Sequence, residues 1–146
     1  MNNLESRPAT RSDIATATRL LDAANLPVDD IAGKDPGAFF AAVVGDSLVG
    51  FIGLEQFGAV GLLRSLIVDP SFRGAGLGRV LVAALESHAG KCGVGELWLL
   101  TIDADQWFAR LDYVVTDRSD APDSIRATEE FCGLCPDDAV LMRKTL

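Results

Sequence analysis

The sequence predicts a mixed α/β domain in three layers, α-β-α, with helices on both faces of one sheet. Three observations predict it. Apolar runs of strand length recur along the chain, at 39–44, 48–56, 60–68, 97–102 and 139–144. The first three are joined by tight turns and read as antiparallel hairpins. The third and fourth are separated by an amphipathic helical stretch, which makes a β-α-β crossover. Hairpins before a crossover distinguish this order from a doubly wound sheet.

The elements follow in order. Residues 4–8 form a short strand ended by Pro8. Thr10-Arg-Ser-Asp13 has capping-box spacing, with Asp13 in the usual Glu/Gln position. Ile14, Ala17, Leu21 and Ala24 then continue at helical spacing, and that helix should end near Asn25, before Pro27. Gly33, Pro36 and Gly37 mark 28–37 as a short helical turn and loop. Strands at 39–44 and 48–56 flank the turn Gly45-Asp-Ser; a turn at Gly58 leads into 60–68, closed by Asp69-Pro70. Phe72 to Gly76 is a glycine-rich loop. Leu77 to about Ala89 is an amphipathic helix, stopped by Lys91-Cys-Gly-Val-Gly. Leu97 to Ile102 is apolar but for Thr101, as in a strand covered on both sides. Ala104, Trp107, Phe108 and Leu111 mark a short helix, 113–116 a strand, 122–131 a further helix and 139–144 a last strand.

Composition limits the function. At 146 residues the chain has the length of one domain, 1–146, with room for a core. A net charge of −8 makes it a poor holder of a phosphate backbone, so no nucleic-acid partner is expected. No apolar run approaches the ~20 residues of a membrane span, so no membrane partner is expected either. The start, MNNLESRPAT, lacks a basic then apolar leader, and a cytoplasmic location is the default expectation.

Cys132-Gly-Leu-Cys135 has CxxC spacing, but there is no second CxxC and His88 is the only histidine. Neither a structural metal site nor a disulfide framework is expected from three cysteines in this pattern. His88 shares a helix face with Leu77, Val80, Leu81, Ala84 and Leu85, and is read as packed.

The chemistry is carried by 65–82, which runs strand, glycine loop, helix. Glycines let a ligand approach the backbone closely. The first helical turn leaves N–H groups unpaired, and the helix dipole favours an anion there. Arg73 and Arg79 add positive charge, so Arg73, Gly74, Ala75, Gly76, Leu77, Gly78 and Arg79 form a candidate diphosphate site. The spacing is neither a P-loop nor the dinucleotide-binding GxGxxG.

Arg73-x-x-Gly76-x-Gly78 resembles the Q/R-x-x-G-x-G/A signature of the GCN5-related N-acetyltransferases (GNAT). Leu66-Ile-Val68-Asp-Pro70 is similar to that family's L-x-V-x-P strand ending, and Leu97-Trp-Leu-Leu-Thr101 to its fifth strand. Ala104-Asp-Gln-Trp107-Phe108-Ala-Arg-Leu111-Asp112-Tyr113 is similar to its late A-x-x-F-Y-x-x-x-G-F segment. The resemblance implies antiparallel N-terminal strands and a parallel, splayed central pair. It also implies acetyl-CoA as co-substrate, no metal, and a small-molecule amine as acceptor. Ile67 and Val68 would meet the pantetheine arm, and Leu100 and Thr101 would flank the acetyl group. Gly53-Leu-Glu55, Leu62-Leu-Arg-Ser-Leu66, Leu99-Leu-Thr101, Ile125-Arg-Ala-Thr128-Glu-Glu-Phe131 and Leu134-Cys135-Pro136 further resemble the arsenic-resistance-associated (ArsN-type) acetyltransferases. That narrower resemblance implies an amino-acid-like acceptor.

Departures from the family pattern bear on catalysis. Phe108 stands where relatives often carry a tyrosine acid, Thr101 where they often carry Asn, and Asp112 where they often carry Gly. Asp is among the residues that best tolerate a left-handed helix stop. Leu62 takes the place of a frequent strand glutamate, leaving Glu55 as the candidate base. By alternation Arg64 shares a face with Leu62, Leu66 and Val68. A charge there needs a partner. That partner is either Glu55 or an acceptor carboxylate. Ser65 faces the other way, or toward the acceptor if a bulge intervenes. The expected function is acetyl transfer to a primary amine by direct attack in a ternary complex. The alternative is an acyl-CoA-binding module that has lost its acid and base. Whether the final helix and strand build a homodimer interface is left open by the sequence.

Overall fold

The computed structural model describes residues 4–23, 39–45, 47–72, 76–128, 131 and 139–146. The turn expected over 28–37 lies outside these residues, as does the helix end expected near Asn25. Strand β1 (Leu4–Pro8) pairs antiparallel with β2 (Phe39–Val44), and β2 with β3 (Ser47–Phe57). Strands β4 (Val60–Val68) and β5 (Glu96–Thr101) are parallel, with register from Val60 opposite Glu96 to Leu62 opposite Trp98. Strand β7 (Val140–Thr145) is antiparallel to β5 and to the short edge strand β6 (Val114–Val115). The seven strands lie in the order β1-β2-β3-β4-β5-β7-β6. Helices α1 (Arg11–Ala23), α2 (Leu77–Lys91), α3 (Asp105–Ala109) and α4 (Asp123–Arg126) complete the mixed α/β fold. Among the described residues, no helix is long and apolar enough to cross a membrane.

The chain divides into two compact units, Met1–Leu54 with Ser65–His88, and Glu55–Arg64 with Ala89–Leu146. In the first, Ile14, Ala17 and Leu21 of α1 pack with Phe39, Ala41, Phe51 and Ile67, and the Phe39 and Phe51 rings stack at 5.1 Å. Adjacent strand residues face opposite ways. Ala42 accordingly meets the other side, where Leu77 and Leu81 of α2 lie over Gly50. That is the expected sandwich of helix, sheet and helix. The α1 start forms the expected capping box: Thr10 N–H donates to Asp13 Oδ2 (2.9 Å), and Asp13 N–H to Thr10 Oγ1 (3.1 Å). His88 packs edge-on against Phe40, with ring centroids 5.0 Å apart.

In the second unit, Leu62, Trp98 and Leu141 form a core with Ala121 and Ile125, and Phe131 packs at its margin. Buried Trp98 keeps its indole N–H satisfied by Glu96 Oε1 at 2.7 Å.

Several elements differ from the sequence expectation. Val80 is 45% exposed, because the buried stripe of α2 follows Leu77, Leu81, Leu85 and Ala89 and rotates away from it. Ile102 lies outside β5, since Thr101 Oγ1 accepts the Ala104 N–H (3.1 Å) and turns the chain. Strand β6 is shorter than 113–116 because Tyr113 belongs to the helix stop before it. Helix α4 is a single turn within the helix expected over 122–131.

Candidate active site

The glycine loop leads into α2. Gly76 has φ +79°, a left-handed conformation that a side chain strains, and its carbonyl accepts the Val80 N–H at 3.2 Å as the helix opens. The first turn of α2 carries no acidic residue. The free N–H groups and dipole of a helix start favour an anion, and no acidic side chain of that turn opposes one. Leu77 is buried and anchors the turn, Gly78 is half-buried, and Arg79 is exposed. Arg73, Gly74 and Ala75 lie outside the described residues. On β4, the Ile67 side chain packs into the α1 core while Val68 is half-buried. The next residue, Asp69, ties the strand end back: its N–H donates to Val49 O (2.8 Å) and its Oδ1 accepts from Ser71 N–H (2.9 Å).

The candidate base is paired. Arg64 Nη1 donates to Glu55 Oε1 at 3.0 Å, with side-chain exposures of 0% and 11%. Of the two partners the sequence allows Arg64, Glu55 is within hydrogen-bond distance of it. Beside it, Gln56 Nε2 donates to Gly58 O (3.1 Å) and Cys92 O (3.0 Å), which pins the end of β3. Gln56 was not among the residues singled out from the sequence, and a bond to a backbone carbonyl 36 residues away has no sequence signature. Leu62 is fully buried in the apolar core.

The alternation expected through 62–68 does not hold. Ser65 has φ +59°, which breaks the pleat inside β4. After it, Ile67 is the buried residue, while Leu66 and Val68 are half-buried.

Thr101 is half-buried at the end of β5. Its oxygen accepts the Ala104 N–H, and a hydroxyl that accepts one bond can still donate its own hydrogen. Phe108 is buried against Trp107 (4.8 Å) and Tyr113 (5.6 Å). Asp112 has φ +73°, the left-handed stop expected of it. Tyr113 N–H donates to Phe108 O and Asp112 N–H to Ala109 O, both at 3.1 Å, which is a Schellman closure. Lys144 Nζ lies 5.5 Å from the Tyr113 ring centroid. Cys92 is exposed, and Cys132 and Cys135 lie outside the described residues. Among the described residues, no group of three or more His, Cys, Asp and Glu could hold a metal ion. Asp117, in the turn after β6, is held below the usual carboxylate range, chiefly by the Ser119 backbone N–H and then by its hydroxyl.

Solved structures share this fold. N-acetylglutamate synthase from Neisseria gonorrhoeae, complexed with coenzyme A and N-acetyl-glutamate, superposes with a TM-score of 0.84 at 20% identity, over 100% of this chain and 36% of that one. Rv2747 from Mycobacterium tuberculosis, in complex with CoA, gives 0.82 at 21% identity, over 97% and 99% of the two chains. Ard1 from Thermoplasma volcanium gives 0.77 at 19% identity, over 98% and 97%. In sequence, an uncharacterized N-acetyltransferase from Chlorobaculum tepidum is 34% identical over 88 residues, covering 58% of this chain. The match spans 54%, about half, of that relative's length. Residues 4–113 match the profile described as the acetyltransferase (GNAT) family. With a matching profile over most of its length, this fold, and a left-handed glycine opening α2, the chain belongs to the acetyltransferase (GNAT) family.

Proposed function

We propose that the chain transfers an acetyl group from acetyl-CoA to the primary amine of a small, polar, amino-acid-like acceptor. The observation that carries this reading is left-handed Gly76 opening α2, within the span the family profile matches. Arg73 to Arg79 bind the diphosphate, mostly through backbone N–H groups. The backbone at Ile67 and Val68 receives the pantetheine arm. Thr101 donates a hydrogen bond to the acetyl thioester, polarising its carbonyl. Glu55 takes the amine proton, directly or through water. Ser65 stands on the acceptor side, and Arg64 bears on the acceptor through its bond to Glu55. The amino-acid acceptor is supported by the ArsN-type resemblance, and the solved synthase with N-acetyl-glutamate is consistent with it.

A thiol-release assay with acetyl-CoA and a panel of amino acids tests this. CoA release dependent on an amino acid is expected. Binding of acetyl-CoA with no turnover on any amine would instead identify an inert acyl-CoA-binding module, a reading that Phe108 in the tyrosine position favours.

A further inference from the structure

We infer that Arg64 is a positioning residue that acts through Glu55, and that it does not grip a carboxylate of the acceptor. The inference rests on Glu55 as the base. Arg64 Nη1 bonds Glu55 Oε1 at 3.0 Å, and the Arg64 side chain is 0% exposed. A guanidinium closed off from solvent has no surface to offer an arriving acceptor. A buried cation must nonetheless be paired, and a rigid planar fork fixes a carboxylate's orientation as a flexible ammonium does not. Glu55 keeps 11% exposure, so the acid of the pair is the member an amine can reach.

The surroundings hold both members in place. Gln56 bonds Gly58 O and Cys92 O and so anchors the β3 end that carries Glu55. Ser65, at φ +59°, resets the pleat immediately after Arg64, which separates the direction of Arg64 from that of the rest of β4. The end of β3 and the middle of β4, neighbours in the sheet, thus hold one carboxylate through one guanidinium. Small errors in placing a reacting group are costly, on the order of 10²-fold for a displacement of about 1 Å.

The test compares the full chain with Arg64→Met, Arg64→Lys and Glu55→Gln. Thiol release from acetyl-CoA is measured with the best amino acid of the panel, alongside thermal melts. Arg64→Met should lower kcat by roughly 10- to 100-fold and leave both KM values unchanged. Arg64→Lys keeps the charge, should fold even if Arg64→Met does not, and should fall between Arg64→Met and the unaltered chain. A raised acceptor KM with intact kcat overturns the inference in favour of a carboxylate clamp. Lowered melting with unchanged kcat per folded molecule overturns it in favour of a purely structural pair. Near-normal turnover by Glu55→Gln removes Glu55 as base, and the inference with it. Glu55→Gln impaired while Arg64→Lys runs at the unaltered rate overturns the inference alone.

Discussion

Asp112 and Gly76 occupy the same kind of backbone position with opposite chemistry. Asp112, at φ +73°, carries a Cβ where the left-handed conformation costs roughly 1–2 kcal/mol. Asp112→Gly should therefore raise stability by about 1 kcal/mol, seen as a higher Tm, because the Schellman bonds to Phe108 O and Ala109 O need no side chain. An unchanged or lowered Tm would mean that the aspartate makes a compensating interaction. Gly76 is the reverse case. Among the described residues a Cβ there meets nothing within 4 Å, so Gly76→Ala should cost chiefly its conformation, roughly 1–2 kcal/mol. It should also weaken acetyl-CoA binding by moving the first N–H groups of α2. Calorimetric titration of Gly76→Ala and Gly78→Val checks this, and unchanged affinity in both would remove the loop as the diphosphate site. Glu55 bears on turnover. If it is the base, Glu55→Gln should lower kcat by a factor on the order of 10²–10⁴.

Elements are fixed here by caps and by close approaches. Thr10→Ala removes the oxygen that accepts Asp13 N–H, and should cost about 1 kcal/mol of stability in a denaturant melt. Gly50→Ala should cost about 1–3 kcal/mol, because its Cβ would stand 2.7 Å from Leu81 Cδ1 and press α2 off β3. A neutral Gly50→Ala would mean that Leu81 relaxes freely. Such local devices were the legible part of the fold. The Thr10–Asp13 box, the hairpin turns and the left-handed stop at Asp112 each follow from a few neighbouring residues. Arg64 was legible too, since a charge in an apolar strand demands a partner. Ser65 was not, because serine carries no signal for positive φ and the apolar run continues through it. Strand β6 was overestimated because Tyr113 is apolar enough to read as strand, whereas the helix-closing bonds claim it. The bridge from Gln56 to Cys92 O joins residues 36 apart through a carbonyl that every residue has.

At the scale of the whole molecule, the question is whether the acetyl group passes through the protein on its way to the amine. A cysteine acyl-enzyme needs a thiol beside a base, in a place that excludes water. Cys92 is exposed in the turn that closes α2, so an acetyl thioester formed there would stand open to hydrolysis. The chain's single histidine is packed edge-on against Phe40. Among the described residues no thiol suits that role, and direct attack in a ternary complex is expected: initial-velocity lines should intersect, and Cys92→Ser, Cys132→Ser and Cys135→Ser should each run at the unaltered rate. Parallel lines with a trapped acetyl-cysteine would overturn this. The pH profile then follows from what Phe108 lacks. A phenylalanine has no proton to give, and the thiol of CoA, far more acidic than an alcohol, can depart as the thiolate with water supplying the proton. The amine must be neutral to attack, so kcat/KM should rise with pH as the acceptor loses its proton, with no falling limb from an essential phenol. A falling limb that disappears in Tyr113→Phe would place the proton on Tyr113, whose ring lies 5.6 Å from that of Phe108, and would restore a tyrosine acid from the helix stop after α3.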